Sequence, residues 1–523
     1  MKDQLRSFLQ KFDKIDIFII VGILFLAIFL RLPPLLPERF VFFLDAARDL
    51  SLIDQFIQTA KPMLIGGRSG VQGIFHGPLW LYMVTPLFVF TKGNPYTTVL
   101  ISIILYTFTL VIVSYMLSKY FYDRKFAIIF TLLISTASGL VVFTQTLTNA
   151  HMAPIVFMVF LFAGISYMRG NQTAIIWQLL MIGLSIHFEV AFAVFMPIPI
   201  LLQCVIVKRI PNVNNLIIGL MLLGLSVCNY IFFELRHSLL MTNTAISLVT
   251  GKLTPPADSL YLQNFTVRAL DRLSGLFDYF LRPSAHANIG LNIVFTLFIL
   301  GVSFWLIIRL KHIENKRELI WLLSIPFLYY LIYMLYKQIL WGHYSFGLYT
   351  SASLLLALII YMSLGQKGWI QIIAKIFMGL IVISIAIAIV KVPITIASKS
   401  SREYRAQYEA ASYVIRDGVA PIHYFVYDPG QLTYKMDYLF KYVSKVNNKQ
   451  IDTNKTGIIY VFLYPAPSWN PGGGQWWKEN VLKTNGEVLI EKKFGNIITV
   501  QKIKVGVDEK PVDANYFQNL FFR

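Results

Sequence analysis

Charged residues and cysteines are scarce in this chain of 523 residues, of which 14% are charged and 56% are hydrophobic. The mean hydropathy is +0.61. A soluble protein of this length needs far more polar surface, so the composition excludes that class and predicts a polytopic membrane protein. The two cysteines, Cys204 and Cys228, both lie inside apolar runs. This placement argues against a disulfide framework and against a cysteine-based metal site.

Acidic residues are also few, with 27 Asp and Glu against 46 Lys and Arg and a formal net charge of +19. In a soluble protein this excess would suggest nucleic acid as a partner. Here the basic residues lie mostly between apolar runs, as in membrane proteins with basic cytoplasmic loops, so no nucleic-acid partner is predicted. The sequence has no Walker A, HExxH or GxSxG motif and no GxGxxG motif after a strand. The Gly-rich stretch 470–477 is predicted to be a loop.

Eleven apolar runs are long enough, or nearly so, to supply the ~20 residues of a membrane-spanning helix. A twelfth stretch, Pro78–Phe90, is shorter and contains Pro86. The eleven runs are 16–32, 96–118, 126–143, 152–168, 173–187, 188–207, 215–235, 288–309, 318–336, 345–364 and 369–391.

The distribution of basic residues predicts the orientation. If the N-terminus is cytoplasmic and Pro78–Phe90 does not cross, nearly all basic connections face the cytoplasm, as the positive-inside rule requires. If Pro78–Phe90 crossed, they would all face outward. We therefore predict 11 spans in the cytoplasmic membrane and a large first external loop over about residues 33–95. Pro78–Phe90 then becomes a juxtamembrane or re-entrant helix. The basic connections are 119–125, 169–172, 208–215, 309–317 and 365–368.

The composition changes after residue 398. Stretches 401–418 and 431–443 are predicted to be helices, 422–427 and 457–463 strands, and 487–504 a hairpin. Alternation of helices and strands is typical of an α/β domain. The sequence thus predicts two domains, a membrane domain at 1–398 and a small α/β domain at 399–523, which the topology places outside.

The stretch "FLDAARDL" (43–50) begins a predicted amphipathic helix on the outer membrane surface. Asp45, Arg48 and Asp49 share one face of it. One interpretation is structural, with Asp45 as the N-cap and Arg48–Asp49 as a solvated pair. The other is functional, because carboxylates close to a bilayer are costly and those present usually act in a site.

The stretch "FHGPLW" (75–80) places His76 at the start of an apolar helix. A helix N-terminus favours anions, and Arg68 is near in sequence, so His76 is predicted to lie at a phosphate site on the membrane boundary. The alternative is a surface histidine before a proline-initiated helix.

The predicted external connections hold further polar residues. His187 and Glu189 form either an interfacial pair or part of a pocket. Asn149 and His151 either line the pocket or, as the pattern favours, only begin a helix, with Asn149 as its cap and His151 incidental. Lys337 either extends its amine from the membrane interface to water or enters the site. His343, in "WGHYSFG" (341–347), has no comparable structural explanation.

Together these motifs resemble the GT-C superfamily of membrane glycosyltransferases, in particular bacterial relatives of the protein O-mannosyltransferases and aminoarabinose transferases. The resemblance covers most of residues 15–390. It depends on the acidic motif "FLDAARD", on the HPPL-like "FHGPLW" with Gly77 at the place of the first proline, on "TNAHMAP" (148–154) and on "WGHYSFG".

The resemblance implies transfer of a sugar from a polyprenyl-phosphate donor, with Asp45 as the loop-one catalytic carboxylate. It places His76 at the position of a basic, cationic residue near the lipid phosphate, and Lys337 and His343 near the donor pocket. Asn149 stands in the second external loop, which lacks a carboxylate, so a mechanism that needs a second acid there is in doubt.

A polyprenyl phosphate is a good leaving group once its charge is offset, so one carboxylate base is sufficient and the transfer inverts the anomeric centre. We expect Asp49 or Arg48 to orient Asp45, and His76 and Lys337 to hold the phosphate. No cofactor is required, although Asp45, His76 and His343 would be the residues to hold a divalent metal ion. The acceptor class stays open among lipid, protein and glycan.

Two other functions are weighed against this one. A transporter or flippase for lipid-linked sugars would predict ionisable residues at mid-bilayer or broken helices. A structural membrane protein would leave the Asp45 cluster unexplained.

The predicted orientation can be tested by cysteine labelling, after Cys204 and Cys228 have been replaced. A cysteine at Lys311 is expected to resist an impermeant thiol reagent applied from outside, because loop 309–317 faces the cytoplasm. A cysteine at Ser468 is expected to react. The reverse pattern would show that the orientation is wrong.

Overall fold

The structure is a computed structural model that describes residues 12–36, 39–71, 73–144, 148–250, 262–281, 289–309, 313–337, 339–397, 403–430, 432–468, 470–506, 509–513 and 516. The chain is mostly helical up to residue 397 and then forms a small mixed domain, which confirms the predicted fold class. The predicted boundary at 398–399 adjoins residues outside those described.

All eleven predicted runs coincide with a helix or with two consecutive helices. The helices are α1 (Lys14–Leu35), α2 (Leu44–Thr59), α3 (Leu79–Phe90), α4 (Pro95–Phe121), α5 (Arg124–Thr136), α6 (Ser138–Phe143), α7 (Ala153–Met168), α8 (Ala174–Phe188), α9 (Val190–Ala193), α10 (Pro197–Val207), α11 (Val213–Ser226), α12 (Cys228–Arg236), α13 (Leu240–Val249), α14 (Phe265–Leu281), α15 (Ile289–Arg309), α16 (Ile313–Leu335), α17 (Phe346–Leu364) and α18 (Trp369–Ala397).

Seven helical segments in the described part of the chain are long and apolar enough to cross a membrane. The pair α11–α12, bent by 52°, would be an eighth. Helix α3 has 12 residues and continues through Pro86. At 1.5 Å per residue it is roughly 18 Å long, shorter than the ~30 Å hydrocarbon core, which supports the prediction that it does not cross. The seven segments are Lys14–Pro33, Pro95–Phe121, Asn149–Met168, Val190–Val207, Asn315–Leu335, Gly342–Leu364 and Trp369–Ile394.

The C-terminal domain is a five-stranded sheet in the order β2-β1-β3-β5-β4. Strands β1, β2 and β3 are parallel, β5 is antiparallel to β3, and β4 and β5 form the predicted hairpin. Its elements are α19 (Glu403–Asp417), β1 (Ile422–Tyr427), α20 (Tyr434–Val446), β2 (Ile451–Asp452), β3 (Ile458–Leu463), α21 (Gly473–Trp477), β4 (Glu487–Phe494) and β5 (Ile498–Lys504).

The two faces of this sheet carry separate apolar cores. Helices α19 and α20 cover one face, and Trp477, Leu482 and Tyr516 cover the other. The Gly-rich stretch 470–477 is not entirely a loop as predicted, because helix α21 begins at Gly473. A Cβ atom on Gly473 would lie 2.4 Å from the Tyr427 hydroxyl, so the glycine is needed for close packing, and buried Trp477 fixes the helix on the sheet.

Helix α20 of the C-terminal domain packs against α2 of the first loop. The Tyr438 hydroxyl donates a hydrogen bond to the Gly93 carbonyl at 2.6 Å, and the Asn94 amide donates to the Tyr442 hydroxyl at 2.9 Å. Tyr438 is 4% exposed and belongs to the membrane-domain core. The sheet domain is therefore joined to the first loop by buried contacts.

We expect Tyr438→Phe to lower the midpoint of thermal unfolding in detergent, because the buried Gly93 carbonyl loses its donor at a cost of about 1–3 kcal/mol. Tyr408→Phe is the control, since Tyr408 is 40% exposed. Equal midpoints for the two variants would show that this hydrogen bond does not stabilise the protein.

Candidate active site

Helix α2 brings Asp45, Arg48 and Asp49 to one face. The helix begins at Leu44 with Phe43 as its N-cap, so the interpretation of Asp45 as an N-cap is wrong. Arg48 and Asp49 are 6% and 4% exposed, so the interpretation of a solvated pair is also wrong. The helix is packed between α3 and α20, and this packing buries the polar face as well as Leu50 and Ile53.

The Arg48 guanidinium is the centre of a hydrogen-bond network. Its Nε and Nη2 donate to Asp49 Oδ1 at 2.9 and 2.8 Å, and its Nη1 donates to Asp45 Oδ1 at 2.9 Å and to the Arg68 carbonyl at 3.0 Å. Among the described residues, Arg48 is the sole hydrogen-bond donor to the Asp45 carboxylate. Asp45 is also the more exposed partner, with 34% of its side chain accessible, so its Oδ2 is open to a ligand.

Asp49 is held from the other side by Trp80, the first-turn residue of α3, whose indole N–H donates to Asp49 Oδ2 at 3.1 Å. Burial raises the pKa of the Asp49 carboxyl to about 6, although the Arg48 guanidinium opposes the shift. Both carboxylate oxygens of Asp49 thus accept hydrogen bonds from side chains of the protein. This arrangement suits a residue that orients Arg48 rather than one that receives a substrate proton.

A short hairpin over residues 66–76 supplies the carbonyl that Arg48 contacts. Its backbone bonds include Gly66 N–H to the His76 carbonyl at 2.7 Å and His76 N–H to the Gly67 carbonyl at 2.9 Å. A Cβ atom on Gly67 would lie 2.3 Å from Arg48 Nε. Glycine is therefore required there, because any side chain would displace the guanidinium.

His76 ends this hairpin and is buried, at 6% exposure, with no hydrogen-bond partner on its Nδ1. Burial, with smaller contributions from Arg48 and His343, lowers the pKa of the His76 imidazole to about 3. The ring is therefore neutral near pH 7. It would contact a phosphate as a hydrogen-bond donor and not as the cation that the sequence suggested.

Gly77 lies directly against His187 of helix α8. The Gly77 N–H donates to the His187 carbonyl at 3.2 Å, and a Cβ atom at this position would lie 2.0 Å from His187 Nδ1. A proline could neither donate this bond nor fit. The contact explains why glycine stands where the HPPL-like motif would have its first proline.

His187 and Glu189 do not form the interfacial pair considered above. His187 Nε2 donates to the Ser226 carbonyl at 2.6 Å. Glu189 is 1% exposed, and neither of its carboxylate oxygens has a hydrogen-bond partner in the described part of the chain. Asp45 lies near enough for its charge to repel that of the Glu189 carboxylate. Glu189 is thus a buried carboxylate near Asp45 without a partner that would neutralise it.

Asn149 and His151 have structural contacts. The Asn149 amide donates to the Phe188 carbonyl, and Thr148, not Asn149, is the N-cap of the short 3-10 helix Asn149–Met152. His151 accepts from the Thr148 N–H at 2.8 Å and donates from Nε2 to the Phe143 carbonyl at 2.6 Å. Both ring nitrogens are used within the protein, which agrees with the prediction that His151 is incidental to the chemistry.

His343 and Lys337 differ in their relation to the cluster. His343 is largely buried beside Tyr344 and Phe346, near enough to Asp45 and Arg48 to be affected by their charges. The Lys337 side chain is exposed, and its backbone carbonyl accepts a hydrogen bond from Gln263 at 3.3 Å. The structure does not bring the Lys337 amine into contact with the Asp45 network.

By sequence, the chain matches no protein-family model and no curated protein. By structure, it is similar to ArnT from Cupriavidus metallidurans, solved with undecaprenyl phosphate, with a TM-score of 0.59, 9% identity, and coverage of 93% of this chain and 97% of ArnT. It is also similar to the oligosaccharyltransferase AglB from Archaeoglobus fulgidus, solved with an inhibitory peptide and a dolichol-phosphate, with a TM-score of 0.50, 10% identity, and coverage of 86% and 69%.

The chain shares the fold of ArnT and AglB. This confirms the predicted resemblance at the level of the fold. At 9–10% identity the likeness does not assign roles to individual side chains.

Two contributors to the candidate site were not predicted from the sequence. Trp80 lies inside the quoted motif "FHGPLW", but its bond to Asp49 depends on the packing of α3 against α2. Tyr434 comes from the C-terminal domain, and the charges of Arg68, Arg48 and Asp45 act on its hydroxyl. No local signal connects residue 434 to residue 45. Within the described ranges, no three His, Cys, Asp or Glu side chains group closely enough to hold a metal ion.

We expect Gly77→Ala to destabilise the protein by about 1–3 kcal/mol, because the added carbon meets the His187 ring and backbone in a packed site. Thermal unfolding in detergent measures the effect. Gly472→Ala is the matched control, since its Cβ would meet nothing within 4 Å. Unchanged stability of Gly77→Ala would mean that the Gly77–His187 contact is not tight.

Proposed function

We propose that this chain transfers a sugar from a polyprenyl-phosphate-linked donor to an acceptor on the outer side of the cytoplasmic membrane, with inversion at the anomeric carbon. The observation that carries the proposal is the state of Asp45, whose one oxygen is bonded to Arg48 and whose other oxygen is open in an otherwise buried network. The lipid phosphates bound to ArnT and to AglB support a lipid-phosphate donor.

In this mechanism Asp45 acts as the general base. Its free oxygen accepts the proton of the acceptor hydroxyl or amine as that atom attacks the anomeric carbon. The bond from the anomeric carbon to the phosphate oxygen breaks, and its electron pair leaves with the polyprenyl phosphate. Arg48 holds the carboxylate in one orientation, and Asp49 and Trp80 hold Arg48. The phosphate needs no added proton, so the site requires no general acid.

The departing phosphate would be stabilised by groups on the same side of Asp45. The Arg68 side chain is exposed, and its residue belongs to the hairpin that contacts Arg48. His76 would donate a hydrogen bond as a neutral imidazole, and His343 would line the donor pocket. Lys337 remains part of the proposal as an exposed cation, whose amine must turn toward the site when the donor binds.

One observation favours the transporter as the second candidate. The bend of 52° between α11 and α12 is a broken helix of the kind that transporters use. However, hydrogen bonds join the bent pair of helices to segments next to the candidate site. The Asn229 amide donates to the Leu64 carbonyl at 2.7 Å, and the Tyr230 hydroxyl donates to the Ile186 carbonyl at 3.1 Å. The bend thus supports the loop that carries Arg68.

The decisive variant is Asp45→Asn, which keeps the size of the side chain but cannot accept the proton. We expect it to fold and to bind the lipid-linked donor, yet to transfer sugar at least about 100-fold more slowly in a radiolabelled-donor assay with membrane extract. Asp49→Asn is expected to be milder in rate but to lower stability, since it weakens a buried partner of Arg48. The matched control is Asp54→Asn, on the same helix but paired with Gln58 and Lys445.

Full transfer by Asp45→Asn together with loss in Asp49→Asn would move the base to Asp49. Full transfer by both would refute the mechanism. Movement of a labelled lipid-linked sugar across a vesicle membrane, without its transfer to any acceptor, would favour the transporter.

A further inference from the structure

A cavity lies in the C-terminal domain, at the carboxyl ends of strands β1 and β3. Its volume is about 490 Å³, within the range of about 300–1,000 Å³ that is usual for small-molecule sites. Tyr427 ends β1 and Asp428 follows it, and the other wall comes from the segment after β3 that includes Trp476 and Trp477. None of these residues takes part in the site around Asp45.

The position of this cavity follows from the sheet topology. After β1 the chain passes to helix α20 on one face of the sheet, and after β3 it passes to helix α21 on the other face. The two chain directions diverge at the neighbouring carboxyl ends and leave a crevice between them. In open α/β sheets, ligands bind in such crevices.

The walls of the cavity are largely aromatic. The rings of Tyr427 and Trp477 have centroids 5.7 Å apart, and Tyr516 follows at 5.8 Å from Trp477. These three are buried, whereas Trp476 is 59% exposed at the mouth. A tryptophan kept in solvent beside a pocket presents a flat apolar face to a ligand. The C–H face of a sugar ring is flat and apolar in the same way, while its hydroxyls point to the sides.

The polar groups of the cavity are acceptors of the kind that sugar hydroxyls need. Asp428 uses one oxygen for the Gly430 N–H at 2.7 Å, and burial raises the pKa of its carboxyl. Asn480 also lines the cavity, and its amide N–H donates to the Trp476 carbonyl at 2.9 Å. Asp513 also lines the cavity and pairs with Lys483. No Lys, Arg or His is among the described lining residues, which disfavours phosphates and acidic sugars.

The cavity is connected to the candidate active site by two consecutive residues. Thr433 lines the cavity, and its hydroxyl donates to Asp437 inside α20. Tyr434, the next residue, packs against the membrane-domain core, and its hydroxyl is affected by the charges of Arg68, Arg48 and Asp45. The backbone at residues 433 and 434 therefore runs from the cavity to the neighbourhood of the candidate site.

We propose that this cavity binds neutral or amine-bearing sugar units of a glycan, and that this glycan is the acceptor of the transferred sugar. The acceptor role rests on the proposed function. Of the acceptor classes, the cavity thus favours a glycan over a lipid tail or a peptide. Trp476 would stack on one sugar ring, and Asp428 would accept hydrogen bonds from its hydroxyl or amine groups.

The test uses the full-length protein in nanodiscs on an array of neutral, amine-bearing and acidic glycans. We expect binding to a subset of the neutral or amine-bearing glycans. The affinity for the best of them should fall about tenfold or more in Trp476→Ala, which removes one aromatic stacking contact, and should also fall in Asp428→Asn. The controls are Trp369→Ala, which alters an exposed tryptophan on α18, and Glu487→Gln, which alters an exposed carboxylate on β4. Absence of glycan binding, binding of acidic glycans alone, or equal binding by all variants would overturn the proposal.

A second measurement separates this proposal from the proposed function. Slow hydrolysis of the polyprenyl-phosphate sugar by water requires the donor site but no acceptor, so Trp476→Ala should leave it unchanged and Asp45→Asn should reduce it. Asp45→Asn should keep the glycan binding of the unaltered protein. Glycan binding without any sugar transfer would refute both the proposed transferase function and the proposed acceptor role. It would still support the cavity as a glycan-binding site. Sugar transfer without glycan binding would refute only the proposal that the cavity binds a glycan.

Discussion

The burial of the Arg48 guanidinium is the interaction on which the first loop depends. A charge removed from water must be neutralised and hydrogen-bonded, and breaking such a buried network typically costs about 3–5 kcal/mol. All three nitrogens of Arg48 are satisfied, by Asp45, Asp49 and the Arg68 carbonyl. This single requirement explains why the hairpin folds back onto α2 and why position 67 must be glycine. Trp80 in turn ties α3 to the same cluster through Asp49.

The buried polar groups around this network differ in whether they have hydrogen-bond partners. His151 and Asn149 are fully engaged, whereas His76 Nδ1, His187 Nδ1 and both oxygens of Glu189 are buried without partners in the part of the chain that is described. Most buried polar atoms in proteins are hydrogen-bonded, so a cluster of exceptions is informative. Of these groups, Glu189 lies near enough to Asp45 for the two carboxylate charges to interact. A sugar hydroxyl that reached Glu189 would supply the hydrogen-bond donor that its carboxylate lacks, which agrees with the proposed chemistry.

Much of this arrangement was accessible from the sequence. Hydropathy and charge predicted the helices, and alternation of patterns predicted the C-terminal strands at 422–427 and 457–463, because these signals are local. The shared face of Asp45, Arg48 and Asp49 follows from helical spacing in the same way. The sequence could not show that Arg48 and Asp49 are buried, since their burial depends on how the hairpin, α3 and the distant α20 pack around α2. It also could not show α21, where the packing of Trp477 outweighs the low helix propensity of two glycines.

The neutral state of His76 could not be predicted from the sequence either. Its residue type and its place before a helix suggested a cation, but ionisation is decided by burial and by the charge of Arg48, and both belong to the assembled structure. The same assembly fixes the cavity of the C-terminal domain relative to Asp45, through Tyr438 on Gly93 and Tyr434 beside Arg48. A base catalyses attack only on an acceptor atom held within hydrogen-bond reach. An acceptor site on a freely moving domain would present that atom at many distances. Because buried contacts join α20 to the first loop, an acceptor bound in the cavity would instead keep one distance from Asp45, the proposed base, and this constancy is what a productive geometry requires.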